Sequence, residues 1–520
     1  MLTRARTALA SPEALEHTLV LLAATVWLIY LTPSSGGFHD PRTAVLAAAT
    51  LPAVAVTQPW RRVSLPLLLL PIAAAAGGLV VLLTSASGWM QADSVADQVL
   101  GLVVLVLVTA YARTTARRRA VASVLAVGLA TTSFLAVKPW VGSGDPNTLV
   151  TAPFYWHNQT GAFVGALVLL VGSAAVLGRS RVSLLLAPVG AAVVVLTTSR
   201  TMLGLLVLGW LVVGARSFRR ATLLRWLAVP LLTAGLLAVA TSSFAKPWDG
   251  VPAFTGGSAA AAANTGPRGS ESLESNGSNR TAWSVAALHA FGRHPVLGNG
   301  FGSFLATSDR DLAPGSDRST FVHDGYAEAL SSGGLAFGGP MLAAAVVVGL
   351  AAARQLRRRP TAAAEGPLLL GTALAAGVLL LHSAVDFDAH YASLQVLLGV
   401  LGGVLLAARS APHLQRPHSA LPVVTALGLA LGLCAFTTLA EHHGRVVSLE
   451  AHTATALLDA RWPGIDDPRL AEAALRACLD SGGNLAVPPD VARRAVAASK
   501  QAAGLFPAIR QLRDLVASAS

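Results

Sequence analysis

Long apolar runs separated by short polar segments recur along most of this chain. Thirteen runs are long enough to cross the roughly 30 Å hydrocarbon core of a bilayer as helices, with allowance for tilt. They cover residues 18–32, 43–57, 64–84, 95–112, 120–137, 160–177, 182–198, 201–215, 222–241, 335–353, 367–385, 391–408 and 420–438. The pattern predicts an all-α fold: a polytopic membrane bundle of about 13 transmembrane helices, with a large loop at 242–334 and a helical C-terminal tail.

Composition agrees with a membrane protein. The 520 residues are 53% hydrophobic and 12% charged, whereas soluble domains carry about 25% charged residues. The net charge of +12 would suggest nucleic acid as a partner of a soluble chain. The positions of the charged residues along the chain suggest a different origin for the positive net charge.

Basic residues are concentrated in alternate loops. These loops hold 20 of the 38 Lys and Arg residues but only 3 of the 26 Asp and Glu residues. They are residues 1–17, 58–63, 113–119, 178–181, 216–225, 354–366 and 409–418. Short cytoplasmic loops rich in Arg are the positive-inside signature. We therefore predict a multi-pass cell-membrane protein with a cytoplasmic N-terminus, an extracytoplasmic C-terminus and no nucleic-acid partner.

The pattern divides the chain into a membrane domain at 1–440 and an extracytoplasmic helical tail at 441–520, with helix starts near 467 and 489. The Gly- and Ser-rich stretch 242–279 is typical of a flexible segment. A helix capped by Ser278 or Asn279 is expected to follow it, with Arg280 in the first turn. A short helix at 321–330 is expected to end at Gly333-Gly334.

The stretch 280–335 is the most polar part of the oily chain and carries the main candidates for chemistry. His323 is a candidate general base because a neutral imidazole accepts protons near pH 7; a structural hydrogen-bonding role is the alternative. Arg280 and Arg200 are candidates for phosphate binding, since guanidinium groups bind it bidentately. Arg200 could equally anchor a helix end, and Arg280 could be a solvated residue.

Other polar residues lie in outside loops. His157 and Asn158 could line the same cavity as His323. Asp386, Asp388 and His390 could hold a metal ion, but an interfacial hydrogen-bonding cluster is the favoured interpretation. No phosphate-binding P-loop, HExxH zinc pair, GxSxG elbow or dinucleotide fingerprint occurs in the sequence. These absences give no support to ATP-driven or zinc-hydrolytic schemes, and we predict no metal and no cofactor.

Two segments carry a family resemblance. Residues 280–304 (RTAWSVAALHAFGRHPVLGNGFGSF) and 322–335 (VHDGYAEALSSGGL) resemble the signature of the O-antigen ligase/polymerase family of polytopic membrane glycosyltransferases. The segments WHNQTGAF, TTSRTMLGLL and HSAVDFDAHY are similar to recurring segments of that family, in the same order. The resemblance covers about residues 150–410.

The resemblance implies a metal-independent, inverting transfer of a glycan from a polyprenyl-diphosphate-linked donor to a glycan, lipid or protein acceptor at the outer membrane face. Arg200 and Arg280 would bind the diphosphate, and His323 would be the catalytic base. Arg293 and His294 are secondary candidates. Asp324 stands where the family often has Asn; it could raise the basicity of His323 or weaken the match.

Two rival interpretations stay open. A transporter or flippase of lipid-linked glycans predicts functional polar residues near the middle of spans, whereas the central spans here are almost free of charge. A scaffold that presents the tail predicts that His323 is dispensable. The sugar, the acceptor and the choice between ligase and polymerase are left open by the sequence.

Overall fold

The computed structural model describes residues 11–85, 91–143, 149–178, 180–216, 220–242, 273–312, 317–358, 365–409, 420–450 and 453–459, with scattered residues between 474 and 495. Within these residues the secondary structure is helical, apart from one isolated parallel bridge between Ser35 and Phe154. The predicted all-α class is confirmed.

The described helices, numbered here in chain order, comprise membrane-length elements and short polar ones. They are α1 (Pro12–Thr25, continued by a π-helical turn at Val26–Leu31), α2 (Arg42–Thr57), α3 (Leu65–Thr84), α4 (Asp93–Tyr111), α5 (Thr115–Ser143), α6 (His157–Val176), α7 (Arg181–Leu196), α8 (Arg200–Ala215), α9 (Arg220–Ser242), α10 (Leu273–Arg293), α11 (Phe304–Ser308), α12 (Gly325–Arg357), α13 (Gly366–Ser383), α14 (Ala392–Ala407), α15 (Ala420–Glu450) and α16 (Ala454–Asp459).

Each of the thirteen predicted apolar segments lies on one of these helices. In the described part of the chain, nine helices are long and apolar enough to cross a membrane: α1 with its π-helical turn, α3, α4, α5, α6, α9, α12, α13 and α15. Three shorter apolar helices are α7, α8 and α14. The multi-pass architecture follows from these helices, while the number of thirteen crossings stays a prediction.

The centre of the bundle is formed by α4, which is buried along its whole length. It packs against α14 through small residues, and a side chain added at Gly399 would overlap the carbonyl oxygen of Gly101. Membrane helices associate closely through such small residues because the bilayer supplies no hydrophobic drive for association. This packing fixes the ends of α4 and α14, where the polar clusters described below lie.

Loops that the charge pattern predicts on the same side of the membrane do meet one another. Buried Glu16, near the start of α1, binds Arg62 at 2.5 Å and Arg117 at 2.9 Å, each from a different basic loop. Glu365 binds Arg118 in the same way. One end of the bundle is therefore tied together by ion pairs among these loops.

Two helix boundaries differ from the sequence prediction. Helix α10 begins at Leu273, so Arg280 lies seven residues inside it, and the expected cap at Ser278 or Asn279 with Arg280 in the first turn was wrong. Helix α15 continues to Glu450, across the predicted boundary at 440. The predicted flexible stretch 242–279 is helical over its last seven residues, 273–279. Residues 243–272 and most of the chain after Asp459, with the predicted tail helices, lie outside the described residues.

The glycine-rich turn after α10 is hydrogen-bonded to α12 at a break in that helix. The expected short helix at 321–330 is instead the start of α12, which continues past Gly334 with a kink (φ 57°, ψ −159°). At the kink, carbonyl groups of the turn accept hydrogen bonds that carbonyls of the helix itself would accept in an unbroken helix. The amides of Leu335 and Ala336 donate to the carbonyls of Pro295 and Val296 at 2.8 and 2.9 Å. The turn and the kink therefore form one unit.

We predict that Gly334→Ala destabilises the protein. An alanine there would have to adopt a backbone conformation that is almost restricted to glycine, and its Cβ would overlap the carbonyl oxygen of Val296. The strain alone corresponds to about 1–3 kcal/mol. Thermal unfolding of the detergent-purified protein, followed by tryptophan fluorescence, measures the loss. Gly339→Ala is the matched control, because no atom lies within 4 Å of a Cβ there; equal melting temperatures for both variants would contradict the prediction.

Candidate active site

The buried carboxylate of Asp386, in the turn after α13, brings three predicted residues together. Asn158 donates from Nδ2 to Oδ2 of Asp386 at 2.8 Å. Nδ1 of His323 lies 3.4 Å from Oδ1, and Nη1 of Arg280 lies 3.8 Å from Oδ2. Asp386 is only 1% exposed. Residues from three segments distant in sequence thus meet at the carboxylate of a fourth.

His323 is held in an unusual conformation. Its φ of 57° is in the left-handed region, which few residues other than glycine adopt and which is often found at functional sites. The imidazole stacks on Trp283, with ring centroids 5.2 Å apart, and meets the edge of Phe387 at 4.9 Å. Trp283 is itself fixed by a 2.9 Å hydrogen bond to the carbonyl of Asp317. Packing therefore directs Nδ1 toward Asp386.

The charge of Asp386 is maintained by its neighbours. Burial by itself would raise the pKa of this carboxyl, but the close imidazole of His323 and the positive charges of His382 and Arg280 hold that pKa well below its usual range. Asp386 is therefore an anion at neutral pH. An anion beside Nδ1 of His323 favours a proton on that nitrogen, which leaves Nε2 to accept another proton.

The two predicted phosphate-binding arginines occupy different settings. Arg280 donates from Nη1 to the carbonyl of Val385, and 26% of its side chain remains exposed. Arg200 is the first residue of α8 and is exposed. Its neighbour Ser199 packs against α6 beside Gly161, one turn after Asn158. Both cations thus lie near the same end of α6.

Two of the remaining predicted residues, His157 and Arg293, lie on α6 and α10. His157 begins α6 and lies close enough to Asp386 and Arg280 for both charges to act on it. Arg293 lies thirteen residues after Arg280 on α10, about 20 Å along the helix, and binds Asp311 through two contacts of 3.0 and 2.8 Å.

The side chains of the other two predicted residues, His294 and Asp324, are not hydrogen-bonded to His323 in the described structure. The exposed side chain of His294, in the glycine turn, makes no hydrogen bond to another described residue. Asp324 caps α12: its Oδ1 accepts from the amides of Tyr326 and Ala327, both at 3.1 Å. The carboxylate that faces His323 is therefore Asp386, and the predicted effect of Asp324 on the basicity of His323 is not supported.

A second polar layer lies next to Asp386. Asp388 binds Nδ1 of His382 at 2.8 Å and the hydroxyl of Ser383 at 3.1 Å. His390 joins Glu328 through Nε2 and Ser94 through Nδ1, at 2.8 and 2.9 Å. Asp388 and His390 are therefore members of a hydrogen-bonding cluster, in agreement with the favoured interpretation of this segment.

Sequence reasoning missed the central position of Asp386. A signal was present, because this acidic residue directly follows a long apolar span, where an unpaired charge is costly. Trp283 was seen only as a residue at helical spacing, and its role in orienting His323 depends on the tertiary fold.

Comparisons of the chain with models of known protein families and with curated proteins gave no match.

The His390–Glu328 pair predicts a pH-dependent stability. Burial lowers the pKa of His390, but the charge and hydrogen bond of Glu328 outweigh burial and raise it. A raised pKa in the folded state stabilises below the unfolded value of about 6.5, and this contribution is lost as pH rises through the folded pKa. We expect Glu328→Gln to lower the melting temperature more at pH 6 than at pH 9.

Glu365→Gln is the control for this measurement. Its partner Arg118 does not titrate in this range, so the loss of stability should be the same at both pH values. A loss in Glu328→Gln that does not vary between pH 6 and pH 9 would contradict the assignment of a charged His390.

Proposed function

We propose that this protein is a membrane glycosyltransferase of the O-antigen ligase or polymerase type. It transfers a glycan from a polyprenyl-diphosphate-linked donor to an acceptor hydroxyl at the outer face of the cell membrane. The observation that carries this proposal is the convergence of His323, Arg280 and Asn158 on the buried carboxylate of Asp386. These groups supply the base, the cation and the orienting anion that such a transfer requires.

His323 is the residue that accepts the proton in this reaction. The acceptor hydroxyl attacks the anomeric carbon of the donor, and Nε2 of His323 takes the hydroxyl proton as the new bond forms. Asp386 lies next to Nδ1, where it orients the ring and stabilises the imidazolium that results. The same division of labour between carboxylate and imidazole operates in hydrolytic triads. The strained backbone and the Trp283 stack keep the ring in one position.

The leaving group is the polyprenyl diphosphate. As the anomeric carbon–oxygen bond breaks, negative charge develops on the departing phosphate oxygen. Cations placed where charge develops lower the barrier more than they favour the bound donor. Arg280, partly exposed beside Asp386, and Arg200, exposed at the start of α8, are the groups we assign to this diphosphate.

The proposed orientation places the site outside the cell, with about thirteen crossings, the N-terminus in the cytoplasm and the C-terminus outside. It is supported by the separation of two polar groups of residues. The Arg-rich loops predicted inside are joined through Glu16 and Glu365. Arg280 and His323, by contrast, lie in the large loop predicted outside.

Substitution of the base and its carboxylate tests the mechanism. In a strain that lacks the protein, His323→Ala and Asp386→Asn should restore mature surface glycan at least about 100-fold less well than the original chain, because proton transfer is lost. Lipid-linked glycan should accumulate. Glycan is measured per amount of membrane-inserted protein, and His294→Ala, a histidine without side-chain partners in the described structure, is the matched control.

The outcomes separate the proposal from its rivals. Full activity of His323→Ala would refute the base and would favour a scaffold whose activity depends on residues 445–520. Loss of outward-facing donor in the strain without the protein would favour a flippase. Accumulation of outward-facing donor with no mature glycan supports transfer.

Substitution of the arginines tests the diphosphate contacts. We expect Arg280→Ala and Arg200→Ala to impair transfer strongly, and Arg280→Lys to recover only a small part of it, because a lysine cannot form the bidentate contact of a guanidinium. Donor turnover by purified variants at several donor concentrations is the measurement. Arg293→Gln, which loses the ion pair to Asp311 and the hydrogen bond to the carbonyl of Thr307, should retain turnover; an equal defect in Arg293→Gln would contradict the assignment.

A further inference from the structure

A second cluster of ionisable side chains lies where the loop before α2, the start of α4 and the end of the last apolar run come together. Nδ1 of His39 is 2.5 Å from Oδ2 of Asp93 and 4.0 Å from Oε1 of Glu441. The three side chains are 9%, 4% and 1% exposed, and one potential ligand atom from each lies within 4.8 Å of the others. The cluster thus combines one imidazole and two carboxylates in a buried position.

Asp97 is a second, independent observation that points to a cation at this cluster. It lies four residues after Asp93, one turn along the same face of α4, and is 1% exposed. Its Oδ1 has no hydrogen-bond partner among the described residues, although it lies close enough to Asp93 and Glu441 for their charges to act on it. A buried carboxylate next to two others is unfavourable unless a cation compensates the charge.

We propose that His39, Asp93 and Glu441 bind a divalent transition-metal cation, with Asp97 on the inner side of the site. Mixed imidazole and carboxylate ligands suit Mn²⁺ or Zn²⁺ better than Mg²⁺ or Ca²⁺, which prefer oxygen ligands alone. In tetrahedral coordination, two ligand atoms that each lie about 2.1 Å from one ion are about 3.4 Å apart. Binding therefore requires Glu441 to approach His39 by about 0.6 Å from the observed 4.0 Å, and Asp93 to move away from His39 by about 0.9 Å from the observed 2.5 Å.

The bound ion has a structural role in this arrangement. It joins the loop before α2 and the start of α4 to α15 at Glu441, from which the chain continues toward the tail. His39 has a φ of 51°, so its backbone is already held in the strained conformation that directs it into the cluster. Ser94, next to Asp93, also binds His390 of the second polar layer. The ion takes no part in the glycan transfer proposed above, and the inference does not depend on that function.

The test uses the full chain, purified in detergent with a tag that lacks histidine, stripped with a chelator and re-equilibrated with ZnCl₂ or MnCl₂ alone. We expect one ion per chain by elemental analysis after desalting, and a melting temperature that rises with ion concentration. Glu441→Gln and His39→Ala should weaken the apparent affinity at least tenfold. Glu16→Gln is the matched control, since Glu16 is equally buried but already bound by Arg62 and Arg117, and it should retain the affinity.

Two results would overturn the site. One is the absence of a stoichiometric ion in the original chain with either metal, which would mean that the carboxylates share protons instead. The other is unchanged affinity in Glu441→Gln. If the variants fail to fold, X-ray absorption of the zinc-loaded original chain decides: one nitrogen among oxygen ligands supports the site, and any other ligand set refutes it.

Discussion

The burial of one carboxylate organises one end of this bundle. Asp386 is almost fully removed from solvent at the end of a long apolar helix, where an unpaired charge would be strongly unfavourable. The protein compensates by bringing an amide from α6, a guanidinium from α10 and an imidazole from the residue before the α12 cap to the same two oxygens. The positions of Asn158, Arg280 and His323 are therefore linked, because each satisfies the same charge.

The second polar layer explains how this arrangement is kept rigid. The pairs Asp388–His382 and Glu328–His390 connect the turn after α13 to α12 and α13, and Ser94 carries the network to the first turn of α4. Below it, close packing of the glycine-lined helices leaves the polar groups little freedom to rearrange. A rigid support of this kind can hold His323 in its strained backbone conformation, which the proposed base requires.

The glycine-rich turn has a structural purpose that also serves the site. Its carbonyls accept hydrogen bonds from the amides that α12 frees at the Gly334 kink. This pairing ties the end of α10 to the middle of α12 and so sets the position of Arg280 relative to the start of α12, where Asp324 caps the helix. The glycine-rich turn of the signature segment is therefore a fixed junction between two helices.

The sequence alone determined the helical class, the positions of the apolar helices and the segments that carry the candidate site. These features depend on local composition, since a run of apolar residues either can or cannot span the hydrocarbon core. The tertiary structure decided which polar residues meet. Arg293 binds Asp311 and Asp324 caps its own helix, whereas Asp386 faces His323. The convergence of His39 with Asp93 and Glu441 was equally invisible in the sequence. His39 and Glu441 are 402 positions apart (441 minus 39), and such contacts depend on how the helices pack and not on the pattern within any one of them.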